Sequence, residues 1–225
     1  MFIDHIGAFL IEPYLMSQGV TSVSLFLANE LPQGSAYSLF YQLYVVFRLI
    51  GRISFPIFAF LLVEGFLHTH HLKKYISQLG LFALLSEIPF DLASKGVLLE
   101  FSHQNIFFTL FIGLLCIASF DSFDKKQDSR WIILLLALLV SELLKVDYSI
   151  IGVLSIFIFY YFHDRVLLRT LLNGPLFLMN LTAIFSFIPI QLYNGKRGKQ
   201  NKAFFYLFYP GHLFLLYLIR MIFIA

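Results

Sequence analysis

Ionisable and amide side chains interrupt several apolar runs of this 225-residue chain. A charged group at membrane depth costs a few kcal/mol (about 2.5–3.5 on insertion scales), so such residues are functional candidates by default. The competing interpretation of each is an interhelical hydrogen bond or ion pair without chemistry. The candidates are Asp4, His5, Arg52, Glu64, Glu87, Asp91, His103, Asn105 and His212.

Asp4 and His5 are adjacent in the short motif "IDHIG". A histidine with a neighbouring carboxylate is a candidate general base with an electrostatic partner. Adjacent residues of a helix point about 100° apart, however, so they are not expected to hydrogen-bond each other. We therefore expect another residue to orient His5.

Arg48 and Arg52 are four residues apart and share a helix face. Pro56 lacks the backbone N–H that would otherwise bond to the carbonyl of Arg52, which predicts a polar notch. Arg48 is also compatible with a side chain that extends to the membrane interface.

Glu64 precedes His68 by four residues, so the two side chains can meet on one face. The histidines and lysines of residues 70–74 indicate a solvated turn at the cytoplasmic surface. These residues lack the spacing of metal ligands, and no metal is expected.

Further along the chain, Glu87 and Asp91 share a face, with Pro89 between them. Two nearby carboxylates repel, so either one is protonated or both face cations.

His103 and Asn105 open the next helix, where an amino-terminal cap is the alternative to a functional role. His212 follows Pro210 in an aromatic stretch of the kind found at membrane interfaces.

The elements that must position these residues are transmembrane helices. Apolar residues make up 59% of the chain and charged residues 13%, against about 25% charged in an average soluble domain. Apolar runs long enough to cross a bilayer predict an all-α, polytopic membrane protein with about eight helices in a single bundle, formed by residues 1–225 as one domain. The predicted helices cover about 1–16, 38–67, 73–93, 104–120, 130–145, 147–163, 166–192 and 203–224, with breaks at Pro56 and at Gly174 and Pro175.

Basic residues in the loops predict the orientation of the bundle. Segments 68–74, 121–130 and 163–169 are basic and are predicted to be cytoplasmic, which also makes the amino terminus cytoplasmic. The loop "NGKRGKQNK", 194–202, contradicts this pattern, because after eight simple crossings it would lie outside. Either the helix before it is re-entrant, or the loop is basic for a functional reason.

Six motifs occur in order along almost the whole chain: "IDHIG", "GRISFPIFAFLLVEGFLHT", "LFALLSEIPFDLA", "HQNIFFTLFIGLL", "YNGKRG" and "FFYLFYPGHLFLLYL". Together they resemble the TraX family of bacterial inner-membrane proteins. The family's namesake acetylates the amino terminus of conjugative pilin, and the family is similar to multi-spanning acyltransferases that use acyl-coenzyme A. The related enzymes carry a basic residue about ten positions before the helix-1 histidine, whereas here Met1 precedes His5 by only four.

The resemblance implies an acetyl-CoA-dependent acetyltransferase of the bacterial inner membrane, with His5 as the base and Asp4 beside it. Arg52 or Asn105 is then expected to stabilise the oxyanion, and Glu64, Glu87 and Asp91 to orient His5, bind the acceptor ammonium or pair with Arg52. The predicted phosphate ligands of the donor are Lys196, Arg197 and Lys199.

The acceptor is expected to be a pilin, a small amine or a sugar, and nothing in the sequence suggests nucleic acid. Two other classes of function remain open. Buried acids and histidines are equally natural in a transporter or proton-coupled carrier. They also occur in a non-enzymatic assembly factor of the pilus or envelope, in which polar residues only pair helices.

Overall fold

The computed structural model of the chain describes residues 1–20, 35–124, 127–196, 198 and 201–223, and all of its regular structure in this range is helical apart from one isolated bridge. The prediction of an all-α fold is confirmed. The helices are α1 Phe2–Ile6, α2 Glu12–Ser17, α3 Ser35–Gly51, α4 Ser54–His68, α5 Leu72–Lys95, α6 Ile106–Ser122, α7 Trp131–Leu143, α8 Ser149–Tyr161, α9 Val166–Leu176, α10 Phe187–Gln191 and α11 Lys202–Phe223.

Three helical segments of the described chain are long and apolar enough to cross a bilayer: Ser38–His68, Leu72–Lys95 and Ala203–Phe223. Shorter apolar helices, such as Ile106–Ser122 and Ser149–Tyr161, accompany them. The protein is therefore a helical membrane protein, and the figure of about eight spans stays a prediction.

The first of these segments is interrupted at Arg52 and Ile53, between α3 and α4. The break lies one turn before Pro56, as expected from the N–H that proline lacks. The N–H of Ile53 bonds to the carbonyl of Ile50, and the hydroxyl of Thr182 donates to the carbonyl of Leu49 over 2.7 Å. A side chain from another element thus satisfies a backbone group at the break, as a membrane interior requires.

The core of the bundle is formed by α4, α6 and α8, which run in the same direction. Phe60 packs edge-on against Phe159 with ring centroids 5.8 Å apart, which joins α4 to α8. At Gly113 an added Cβ would meet the side chain of Ile156, so the absence of a side chain lets α6 and α8 approach closely. The helix α5 packs between α6 and α11.

The first and last helical segments meet beside this core. A π-helical turn, Gly7–Ile11, joins α1 to α2, and the segment runs antiparallel to α3, with the rings of Tyr14 and Phe40 4.9 Å apart. The helix α11 runs parallel to the second half of α5. Arg220 donates to the carbonyl of Ala93 over 3.1 Å at the far end of this contact.

The segment after α9 turns back instead of crossing. The helix α9 continues through Gly174 and Pro175, so the predicted break there is displaced to Phe177, whose ring lies 6.1 Å from Phe55. A 3₁₀ segment, Leu178–Ser186, and α10 then return the chain, and Tyr193 packs against Phe60 at 5.4 Å. This return agrees with the re-entrant alternative, and it brings Gln191 back beside Thr170, in the first half of α9.

Candidate functional site

His5 of α1 and His212 of α11 form a hydrogen-bonded pair. Nδ1 of His5 lies 2.6 Å from Nε2 of His212, and the two rings are stacked with centroids 4.9 Å apart. The other ring nitrogen of His212, Nδ1, lies 2.6 Å from the carbonyl oxygen of Phe208, one turn earlier in α11. The Phe208 carbonyl, the His212 ring and the His5 ring therefore form one hydrogen-bonded chain.

This connection assigns the proton positions of the pair. A carbonyl oxygen only accepts, so Nδ1 of His212 carries a proton and donates it to Phe208. In neutral His212, Nε2 is then an acceptor, which requires Nδ1 of His5 to be the donor. The unprotonated nitrogen of His5 is consequently Nε2, and this nitrogen is free to act as a base.

The surroundings of His5 are mostly aromatic. Its ring lies 5.2 Å from that of Phe9 and 5.8 Å from that of Tyr209, and the residue is half-buried. The π-helical turn begins at Gly7, two residues after His5. Insertions of this kind recur at functional sites because they change which side chains share a helix face.

Asp4 pairs with a different partner. Its Oδ1 lies 2.7 Å from Nη1 of Arg48, and each side chain is 18% exposed. Among the described contacts no hydrogen bond joins Asp4 to His5. Gly51 lies against the Asp4 carboxylate, where a Cβ would collide with it. Of the predicted pair, His5 is thus oriented by His212, and Asp4 fastens α1 to the end of α3.

A cavity of about 630 Å³ lies at the adjoining end of the bundle. Arg52, His103, Glu142, Lys145, Asp147 and Tyr148 are among its lining residues. Nε2 of His103 is 3.8 Å from Oδ1 of Asp147. The sequence had indicated Arg52 and His103 but missed the residues between α7 and α8, whose only signal was the charged and aromatic run "KVDY" between two apolar helices.

The wall of the cavity has an unusual backbone. Lys145, Tyr148 and Ser149 have φ angles of 51°, 60° and 41°, which non-glycine residues adopt rarely. Tyr148, one of these three residues, lines the cavity together with Arg52.

Glu87 and Asn105 are bonded to each other and not to His5. The side chain of Asn105 accepts from the N–H of Phe107 over 2.9 Å and so caps α6, which confirms the capping interpretation for this residue. Its amide nitrogen donates to the carbonyl of Ala83 over 2.9 Å and to the Glu87 carboxylate. Asp91 accepts from the N–H of Glu100 over 2.7 Å and holds the loop after α5.

Glu64 belongs to a separate polar group near the other end of α4. One carboxylate oxygen lies 2.7 Å from Nε2 of His163, and the other lies 3.8 Å from Nδ1 of His68. Arg169 donates to the carbonyl of His163 over 3.0 Å and covers the ring of Phe60. Glu64 follows Arg52 by twelve residues, or about 18 Å of helix rise, so the structure does not bring it to His5.

Of the predicted donor ligands, Lys196 is exposed in the loop after α10, and Arg197 and Lys199 lie outside the described residues. Within the described ranges no group of three or more His, Cys, Asp or Glu side chains is arranged to hold a metal ion.

Residues 1–220 match the family model described as TraX protein. The chain belongs to the TraX family. All of the described site residues named above fall within the matched range.

A curated relative of this TraX protein is the probable fimbrial assembly protein FimC, serogroup H1, of Dichelobacter nodosus. It is 29% identical, and the similarity covers 77% of this chain and 82% of the relative. No solved structure matches the chain.

Proposed function

We propose that this TraX protein is a membrane acetyltransferase that moves an acetyl group from acetyl-CoA to an amine or a hydroxyl. The observation that carries the proposal is the His5–His212 pair. It leaves Nε2 of His5 as an unprotonated base, while the Phe208 carbonyl and His212 hold the opposite side of the ring. A histidine oriented in this way is a common general base in group transfer.

In the proposed reaction Nε2 of His5 removes a proton from the acceptor as its nitrogen or oxygen bonds to the thioester carbonyl carbon. The carbon–sulfur bond of the tetrahedral intermediate then breaks, and the proton moves from His5 to the coenzyme A sulfur. The transient charge on His5 is stabilised by its Nδ1–H···Nε2 bond to His212. Asn105 is already bonded to Ala83, Glu87 and Phe107, which removes it from the predicted oxyanion donors.

The donor is proposed to approach from the end of the bundle that carries Lys73 and Lys196. We propose that the protein lies in the bacterial inner membrane and that this end faces the cytoplasm, because the loops there are basic. Lys196, with Arg197 and Lys199, is the proposed phosphate ligand. The start of α11 at Lys202 is separated from His212 by ten residues, or about 15 Å of helix rise, which an extended coenzyme arm has to cover.

The acceptor is proposed to be the amino terminus of a pilin, in a pilus-related process. The name of the relative, a probable fimbrial assembly protein, supports the process. The same name supports a second candidate function, a pilus assembly factor without enzymatic activity. A small amine or a sugar is a further acceptor class that the chemistry of His5 permits.

Transfer of label from acetyl-CoA tests the proposal directly. The full chain is purified in detergent and incubated with acetyl-labelled coenzyme A and with a pilin amino-terminal peptide, a small amine or a sugar. We expect acetylated product from the unmodified protein, none from His5→Ala, and unchanged product from the control His70→Ala, which alters an exposed histidine at the far end of α4. Absence of transfer to every acceptor from a folded protein refutes the enzyme and favours the assembly factor.

A further inference from the structure

The cavity near the start of α4 contains two cations without a contact ion pair. Neither Arg52 nor Lys145 has a carboxylate oxygen within 4.0 Å among the described residues. Nε of Arg52 is also buried and has no hydrogen-bond partner. An unpartnered buried donor is rare in folded proteins and calls for a water, an ion or a ligand.

The acids around the cavity already have other contacts. Glu142 accepts from the hydroxyl of Ser149. Oδ1 of Asp147 accepts from the N–H of Tyr148 over 3.0 Å and faces His103. Asp4, on the other side of Arg52, is paired with Arg48. Arg52 and Lys145 therefore lie at the cavity without a contact ion pair, and Asp4 and Asp147 act on Arg52 only over a longer distance.

The rest of the cavity suits a small organic molecule. Its volume of about 630 Å³ lies within the usual range for small-molecule sites, about 300–1,000 Å³. The ring of Tyr148 stacks on that of Phe55 with centroids 4.0 Å apart and gives one wall a flat apolar surface. Ser102 and Lys145 are exposed, so the cavity can be reached from outside the bundle.

The shape of the cavity is fixed by backbone contacts. The N–H of Gln104 bonds to the carbonyl of Lys145 over 3.1 Å, and the N–H of Asp147 bonds to the carbonyl of Gln104 over 3.0 Å. These bonds join the loop before α6 to the loop before α8, and Thr109 of α6 donates to the carbonyl of Asp147. A wall held in this way loses little freedom when a ligand binds.

We propose that this cavity is a binding site for a small molecule, or the end of a larger substrate, that carries a carboxylate or a phosphate, with Arg52 as its anchor and Lys145 as a second contact. The planar guanidinium of arginine matches both anions through paired N–H donors. This role replaces the transient oxyanion contact predicted for Arg52. The proposal goes beyond acetyl transfer, and binding at the cavity requires no turnover.

Binding of simple anions to the purified full chain in detergent tests the proposal. The probes are inorganic phosphate, acetate and acetamide, the last being a neutral molecule of nearly the same shape as acetate. We expect isothermal titration calorimetry to detect phosphate or acetate but not acetamide. A preference for phosphate identifies a phosphate-bearing ligand, a preference for acetate a carboxylate-bearing one, and both results support the site.

The variants locate the binding. Arg52→Gln should weaken anion binding about tenfold or more, as expected for the loss of hydrogen bonds to a charged group. Lys145→Gln, at an exposed position, should weaken anion binding severalfold. This variant provides the test if Arg52→Gln does not fold. Lys74→Gln, which alters an exposed lysine at the start of α5 and outside the cavity lining, should leave anion binding unchanged. Absence of anion binding, or equal binding by Lys145→Gln and the unmodified protein, overturns the proposal.

Discussion

Nδ1 of His5 lies 2.6 Å from Nε2 of His212, although the two residues are 207 positions apart in the chain. The contact joins the first helix to the last and sets the only orientation of His5 that the described hydrogen bonds support. In the proposed reaction His212 is therefore a positioning residue, and His5 is the group proposed to meet the acceptor.

Replacement of His212 is expected to reduce turnover without abolishing the fold. In His212→Ala the Nδ1–H of His5 loses its acceptor, so the ring is free to rotate and its tautomer is no longer fixed. We expect kcat for acetyl transfer to fall about 100-fold, the lower end of a general-base contribution. His212→Gln, whose side-chain oxygen also accepts, should restore part of the rate.

The dependence of rate on pH separates this role from a purely structural one. In His212→Ala the pH at which the rate is half-maximal should differ from that of the unmodified protein, because the partner of the base is missing. An unchanged rate and pH profile in folded His212→Ala would show that the pair does not serve catalysis.

Gly51 and Gly174 provide a matched pair of substitutions. A Cβ at Gly51 would collide with the Asp4 carboxylate, whereas at Gly174 nothing lies within 4 Å. We expect Gly51→Ala to lower the free energy of unfolding by about 1–3 kcal/mol through overpacking. Gly174→Ala should be neutral or stabilising by up to about 1 kcal/mol.

Thermal unfolding midpoints of the two alanine variants, measured in the same detergent, test this difference. Equal midpoints for Gly51→Ala and Gly174→Ala would contradict the close approach of α1 to the end of α3.

The contact between Glu64 and His163 is expected to contribute stability and not turnover. The carboxylate of Glu64 is 9% exposed and lies 2.7 Å from Nε2 of His163. Glu64→Ala and His163→Ala should each reduce the free energy of unfolding by about 1.5–3 kcal/mol, the usual contribution of a hydrogen bond to a charged group. The double variant should be less destabilised than the sum of the two.

Acetyl transfer by Glu64→Ala, assayed below its unfolding midpoint, should match that of the unmodified protein. A loss of turnover in Glu64→Ala protein that is still folded would instead connect Glu64 to the reaction, as the sequence had suggested.

The return of the chain after α9 predicts which loops share a side of the membrane. Single cysteines introduced as Lys73→Cys and Lys196→Cys should react with a membrane-impermeant maleimide from the same side, and Glu100→Cys from the opposite side. The background is Cys116→Ala, since Cys116 is the one cysteine of the chain and is buried. Labelling of residues 100 and 196 from one side would exclude the re-entrant arrangement.

The sequence alone determined the class of the fold and the family. Its apolar content predicts helices because a backbone in hydrocarbon must satisfy its own hydrogen bonds. Pro56 located the break in the second helical run because a missing N–H has a local effect. Asn105 was likewise recognisable as a cap from its place before an apolar run.

Only the tertiary structure decided which polar residues meet. Spacing predicted that a residue other than Asp4 orients His5 but did not say which one, and it placed Glu87 on the same face as Asp91. The observed partners are Arg48 for Asp4 and Asn105 for Glu87, both outside the helices of the residues they bond. The pairing of His212 with His5 had no local signal, and the run that contains Asp147 did not reveal its place in the cavity, because contacts between helices depend on their packing and relative rotation. The course of the chain after Phe177 was decided in the same way, since its return is set by packing against Phe55 and Phe60.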